Sequence, residues 1–359
     1  MVGPCPRPAQ RPAVGISPTG GTVAAVSAPQ GIEADKVTAW FEANVDGVTP
    51  PLSFELIAGG RSNLTFSVTD DAGRRWALRR PPLHSVLASA HDVGREHRII
   101  SALGPTDVPV APVAGNCTDD DVTGAPFYVM EFVDGLVVRD DDAATAELEE
   151  PARRRVAEAM IDVLATIHAQ DPDAVGLGDL GKREGYIERQ LRRWKGQWEQ
   201  AKTRELPALD EAHARLSASI PDQGPAAIVH GDYRLDNMIV SREGEVNAVL
   251  DWELCTLGDP LADLGLLAVY WDRPYGGAPA KVPGFPSIDE LNARYAERSG
   301  RSIADLDFYV AFGSWKLAAI IEGVYARYKA GAYGGTDPEI EKLPDAAEQL
   351  AESALQKTR

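Results

Sequence analysis

Ile228-Val229-His230-Gly231-Asp232-Tyr233-Arg234-Leu235-Asp236-Asn237 decides how this chain is read, because an apolar run of strand length delivers an H-G-D-x-x-x-x-N pattern into a loop. A hairpin follows. Met238 to Ser241 and Val246 to Leu250 lean towards β structure, and Arg242-Glu243-Gly244-Glu245 between them has turn chemistry. The second strand ends in Asp251-Trp252-Glu253, which puts a further carboxylate nineteen residues beyond Asp232. Asp232, Asn237 and Asp251 therefore gather hard oxygen groups on one hairpin. That set suits transfer of a phosphoryl group, which needs an acceptor oxygen held in line and cations over a polyphosphate.

Upstream, Phe54 to Ile57, Leu64 to Thr69 and Arg75 to Arg79 read as a three-stranded meander, with turns at Gly59-Gly60 and Asp71-Ala72-Gly73. Small and polar residues in Ala58-Gly59-Gly60-Arg61-Ser62-Asn63 would let backbone N–H groups approach phosphates. In Trp76-Ala77-Leu78-Arg79 the period of two puts Ala77 and Arg79 on one strand face. A helix is expected over 91–103, carrying Glu96, and the apolar run Phe127 to Val133 reads as a further strand. Beyond residue 135 the pattern is mainly helical apart from the β island that includes the opening motif.

These residues resemble known kinases. The H-G-D-x-x-x-x-N and D-W-E spacing is similar to the catalytic loop and metal-binding Asp of protein kinases, and closer still to the aminoglycoside phosphotransferase and choline kinase-like superfamily. Within it, LRRPP, SAHDVGREHRII, GAPFYVMEFVDG, VHGDYRLDN and LDWELCTLGDPLADLG look like the kinase module found fused to acyl-CoA dehydrogenases, over about residues 35–335. The resemblance implies an α+β fold of the protein kinase-like, two-lobed kind, with an N-terminal antiparallel sheet lobe holding one key helix and a mainly helical C-terminal lobe. It places a disordered tail over 1–30, a nucleotide-binding lobe over 31–134 and a catalytic, substrate-binding lobe over 135–350.

The resemblance also implies roles. Asp232 would take or orient the acceptor's proton, Asn237 and Asp251 would ligate Mg, and His230 and Asp263 would brace the loop. Gly59, Gly60, Ser62, Asn63, Ala77, Arg79, Glu96, Glu131 and Val133 would contact a nucleotide, ATP or GTP, with Arg79 paired to Glu96. Arg79 stands where the family pattern has Lys, which bears on nucleotide geometry because a guanidinium is bulkier and differently directed. Asp236, Glu253, Arg193 and Glu322 are expected near the acceptor. The short interval from Asp251 to Gly258-Asp259-Pro260 leaves no room for a peptide-binding activation segment, so a small molecule with a free hydroxyl is the expected substrate. A hydroxyacyl-CoA fits the dehydrogenase-linked module, with a functional tie to such a dehydrogenase; an aminoglycoside or amino alcohol fits the wider superfamily. A nucleotide-binding pseudokinase that regulates a partner is the reading from another class.

Bulk properties narrow the field. A net charge of -18 argues against nucleic acid as a partner. No apolar run approaches the roughly 18 residues that span a bilayer, and three scattered cysteines suggest neither disulfides nor zinc, so a reducing cytoplasm is the expected setting. Gly176-Leu177-Gly178-Asp179-Leu180-Gly181 matches G-x-G-x-x-G but follows a helix and not a strand, so no dinucleotide site is read there. The cation-rich segment Tyr186 to Arg204 reads first as a helix that buries Trp194 and Trp198, with its Arg stems over them.

Overall fold

The computed structural model describes residues 29–57, 63–83, 92–273, 278–331 and 340–358. The expected tail lies almost wholly outside these residues, as do Gly59, Gly60 and Ser62. The chain enters through α1 (Ala34–Asn44) and builds β1 (Ser53–Leu56), β2 (Leu64–Thr69) and β3 (Arg75–Arg80) as the expected meander. Asp70 closes the β2–β3 turn by accepting from the Arg74 N–H at 2.8 Å, and α2 (Val93–Leu103) starts at Asp92, whose carboxylate accepts from the Arg95 N–H.

The sheet has five strands in the order β1-β2-β3-β5-β4, with β4 at Val113–Cys117 and β5 at Phe127–Glu131. The sequence reading passed over β4. Its VAGNC has one β-branched residue, and pairing with β5 supplies what local propensity does not. A one-turn α3 (Asp120–Thr123) connects the two. One face of the sheet, with Phe66, Val68, Trp76, Leu78, Phe127 and Val129, packs on Val37 and Phe41 of α1. The opposite face offers Ala77, Arg79, Tyr128 and Met130 to α2 and to the helical region.

That helical region opens with α4 (Asp141–Glu147) and α5 (Glu150–Ala169). The acidic stretch from Asp140 forms α4, with the Asp140 side chain capping the Ala143 N–H. Then come α6 (Tyr186–Ala201), α7 (Pro207–Ala218), β6 (Ala227–Val229), β7 (Met238–Val240) and β8 (Val246–Val249). A short β9 (Thr256–Gly258), also missed in the sequence, pairs antiparallel with β6. The chain finishes with α8 (Leu261–Trp271), α9 (Ile288–Ser299), α10 (Leu306–Lys329) and α11 (Leu343–Lys357).

The 24-residue α10 is the spine of this part, packed against α6, α7, α8 and α11. Its crossing with α8 is close because both helices are bare there: a Cβ on Gly265 would stand 2.5 Å from the Tyr309 carbonyl. Tyr309 also donates its hydroxyl to Asp259 at 2.6 Å, so α10 holds the start of α8 in place. No helix among the described residues is long and apolar enough to cross a membrane. Gly265→Ala should overpack this crossing and lower stability by about 1–3 kcal/mol, read as a lower urea midpoint with an unchanged slope.

Candidate active site

The loop after β6 is clamped from below. Asp263, on the first turn of α8, accepts from the backbone N–H of His230 at 2.7 Å and of Gly231 at 2.8 Å. Gly231 has φ of 87°, and a Cβ there would lie 2.9 Å from the Leu254 carbonyl oxygen. Only glycine fits this turn. Lys316 of α10, buried, donates its Nζ to the Gly231 carbonyl at 2.9 Å. Burial moves its pKa down.

His230 performs the second clamping. Its ring lies tilted against Trp252 at 4.8 Å between centroids, its Nε2 bonds the Leu250 carbonyl at 2.9 Å, and its Nδ1 accepts from the Asp232 N–H at 3.3 Å. Leu250 is gripped from its other side too, its N–H donating to the Asn237 carbonyl at 2.8 Å. Asp251 is therefore delivered at a fixed place beside the loop. It takes φ of 63°, the one non-glycine with positive φ among the described residues, and such strain persists only where its surroundings overdetermine it.

Asp232 has both carboxylate oxygens engaged. Asn237 donates its Nδ2 to Oδ2 at 3.0 Å, and the Tyr270 hydroxyl donates to Oδ1 at 2.9 Å. Because the amide nitrogen of Asn237 is spent on Asp232, its oxygen is the atom left to act as a hard ligand. Asn237 and Asp251 together fit a magnesium ion, which takes a few protein oxygens and fills its shell with water and phosphate. The Arg79 guanidinium already lies 2.7 Å from Asp251, so the place accommodates a positive charge.

Arg79 joins the halves of the site. From β3 it donates Nε to Glu96 at 2.8 Å and a terminal nitrogen to Asp251. Burial opposes its charge, but Glu96 foremost, then Tyr128 and Asp251, outweigh that and move its pKa up. Burial raises the pKa of Glu96 while Arg79 pulls it back; the short bond to a firmly charged guanidinium makes the carboxylate the ionised partner. Asn63, fully buried, donates to the same Glu96 oxygen at 3.4 Å.

The other expected residues fall less evenly. Ala77 is on the Arg79 face of β3, as the alternation requires. Glu131 and Val133 lie where β5 leaves the sheet, but the Glu131 N–H donates to the Pro112 carbonyl and is not available to a base. Asp236 forms a bidentate pair with Arg234, and Glu253 sits in the 3-10 turn directly after Asp251. Arg193 is exposed, its guanidinium over Trp194, consistent with the stem-over-aromatic reading of that helix. One residue is placed differently from expectation. Glu322 is wholly buried and paired at 2.9 Å with Arg204, which also donates to the Pro344 carbonyl; this ties α10 to the α6–α7 connection and α11, away from any acceptor.

His168 and Tyr270 carry no signal in the sequence, being 95 and 38 residues from the groups they bond. Tyr295 bonds His168 Nδ1 at 2.7 Å and His168 Nε2 reaches Asp263 at 3.3 Å, which satisfies a neutral imidazole on both sides. Burial first, opposed by Asp263, lowers the His168 pKa.

A family model described as "Phosphotransferase enzyme family" (APH) matches residues 53–308, which takes in Arg79, Glu96, Asp232, Asn237 and Asp251. The chain belongs to this family. Mouse acyl-CoA dehydrogenase family member 10 is 37% identical over 314 residues, 84% of this chain but 29% of that protein. The chain thus spans well under half the length of the curated relatives it matches. A crystal structure from Ralstonia eutropha, described as a candidate aminoglycoside phosphotransferase, is 34% identical with a TM-score of 0.79, covering 91% of this chain and 98% of that one. The aminoglycoside phosphotransferase APH(4)-Ia, solved with AMP-PNP and hygromycin B, shares the fold at 16% identity and a TM-score of 0.60, covering 89% and 97% of the two chains. The architecture is thus the protein kinase-like one, an N-terminal antiparallel sheet followed by a mainly helical remainder.

Two outcomes follow from the clamps of this APH chain. Arg79→Met leaves the Glu96 carboxylate buried without its cation and should cost about 3 kcal/mol or more; adding Glu96→Gln should restore part of it, as denaturation midpoints would show. For pH, a buried His168 with a lowered pKa means the unfolded chain takes up the proton first, from its ordinary 6.5 downward. Asp263, which burial would raise but the hydrogen bonds from His168 and the Gly231 N–H hold low, works in the same direction below its ordinary 3.8. Stability should therefore decline on acidification below about pH 6.5, with a shallower slope in His168→Gln, measured by denaturant titration at a series of pH values.

Proposed function

We propose that the protein transfers the γ-phosphoryl group of ATP, with magnesium, to a hydroxyl of a small molecule, and that a hydroxyacyl-CoA is the first acceptor to try. The observation that carries this is the convergence of Asp232, Asn237 and Asp251 on one hairpin, with Arg79 reaching across from the sheet to Asp251. In this reading the sheet lobe, 31–134, holds the donor and residues 135–350 hold the acceptor.

Each residue then has a task. Asn237 and Asp251 hold the magnesium ion, which when bound neutralises charge developing on the phosphates. Arg79, kept charged by Glu96, lies on the side of Asp251 where a polyphosphate would approach, and supplies positive charge without a proton to lose. Asp232 accepts the proton of the acceptor hydroxyl as its oxygen bonds the γ-phosphorus and the bond to the bridging oxygen breaks, its electron pair leaving on the diphosphate. Asp263, His230 and Lys316 hold the loop so that Asp232 need not reorganise during transfer.

The acceptor assignment draws on the likeness to the acyl-CoA dehydrogenase-linked relative, and the same likeness supports a functional link to such a dehydrogenase. The test is Mg-dependent ATP turnover against hydroxyacyl-CoAs, aminoglycosides and amino alcohols. Asp232→Ala should reduce transfer by roughly 10²–10⁴-fold with nucleotide binding retained, and Asp251→Ala should raise the magnesium needed for half-maximal nucleotide binding. If nucleotide binds and no acceptor in the panel is phosphorylated, the protein is a nucleotide-binding module and the enzyme assignment falls.

A further inference from the structure

Tyr270 belongs to none of the roles assigned so far, yet it makes a direct polar contact with the Asp232 carboxylate. It stands on the last turn of α8, nearly buried, and its hydroxyl donates to Oδ1 at 2.9 Å. The phenol keeps its proton: burial, then the Asp232 charge, moves its pKa well up, so it remains a donor. The ring is held in place by cations on both counts of the chain's own supply, with the Arg234 guanidinium 4.6 Å and the Arg273 guanidinium 5.7 Å from its centroid. Arg234 is in turn anchored by Asp236.

Beside this ring lies a cavity lined by Arg139, Asp141, Arg234, Leu235, Tyr270 and Arg273, of about 30 Å³. That volume admits a water or two beside the ring. With Asn237 on Oδ2 and Tyr270 on Oδ1, each oxygen of the base already accepts one hydrogen bond, and the phenol occupies one of the positions from which a hydroxyl could reach Oδ1. A kinase faces a second hydroxyl source in water, and an uncovered base next to a bound nucleotide would activate it as readily as an alcohol.

We propose that Tyr270 is a positioning residue that caps Asp232 in the place the acceptor hydroxyl must take, so that the base is withheld from water until an acceptor displaces the phenol. The inference rests on the phosphotransferase reading. The side reaction it suppresses is hydrolysis: the water oxygen bonds the γ-phosphorus, the bond to the bridging oxygen breaks with its electron pair leaving on ADP, and the water proton passes to Asp232, giving inorganic phosphate. Displacement requires the tyrosine hydroxyl to give up Oδ1 to the acceptor hydroxyl. The arginines that flank the ring set how tightly the cap is held.

The experiment uses the full chain with Mg and ATP and no acceptor, and reads inorganic phosphate release. Y270F should raise the rate at least about tenfold, part of the 10²–10⁴ that an available general base contributes. Its melting temperature and its affinity for Mg and AMP-PNP should match the wild type, and the added change D232A should abolish the gain. A merely structural tyrosine would lower activity or stability on removal; it would not speed hydrolysis. An unchanged or slower rate in a folded, nucleotide-binding Y270F overturns the cap and leaves the phosphotransferase reading standing. Failure of the wild type to bind Mg and AMP-PNP overturns that reading, and the cap with it.

Discussion

One guanidinium holds the site together. Arg79 is shared between Glu96, on the helix behind the sheet, and Asp251, at the strained end of a hairpin some 170 residues later in the chain. Two carboxylates drawn from separate halves of the molecule would repel each other in a poorly solvated cleft; a planar cation between them converts that repulsion into a tie. Lysine, a point charge on a flexible stem, would satisfy one partner at a time more easily than both. The substitution that stood out in the sequence as a departure is therefore, in the fold, what joins sheet to hairpin.

The rest of the site is arranged so that little moves. Asp263 accepts two successive backbone N–H groups, His230 grips Leu250, and Lys316 reaches up from the longest helix to the Gly231 carbonyl. Each bond fixes backbone and not side chain, and backbone fixes where Asp232 and Asp251 point. The polar cluster is costly to bury, and it is tolerated because nearly every member has a partner: His168 bonds both Tyr295 and Asp263, and Asp259 bonds Tyr309.

Much of this was legible in order along the chain. The meander, α2, the strand β5 and the hairpin around Asn237 all appear within a residue or two of where periodicity and turn chemistry put them. Arg79 with Glu96 was also readable, through the resemblance to the kinase pattern and not from any local rule. The strands β4 and β9 were not, because Val113–Cys117 and Thr256–Gly258 are strands only by virtue of a partner. Glu322 misled for a related reason: a carboxylate in an apolar helix signals burial, and says nothing of whether its partner is a ligand or, as here, Arg204.

The opening motif, with the later Asp and the landmarks upstream of them, points to the reaction family, because H-G-D-x-x-x-x-N and that Asp are local patterns whose spacing is set by one loop and one hairpin. Who surrounds Asp232 was decided elsewhere. Tyr270, Lys316 and His168 come from helices that no local rule connects to the loop, and they arrive because α5, α8 and α10 pack as they do, with Gly265 bare enough for the α8–α10 crossing. Periodicity reports which face of an element is buried. It does not report against what, and the second question is the one that decides which side chains share a carboxylate.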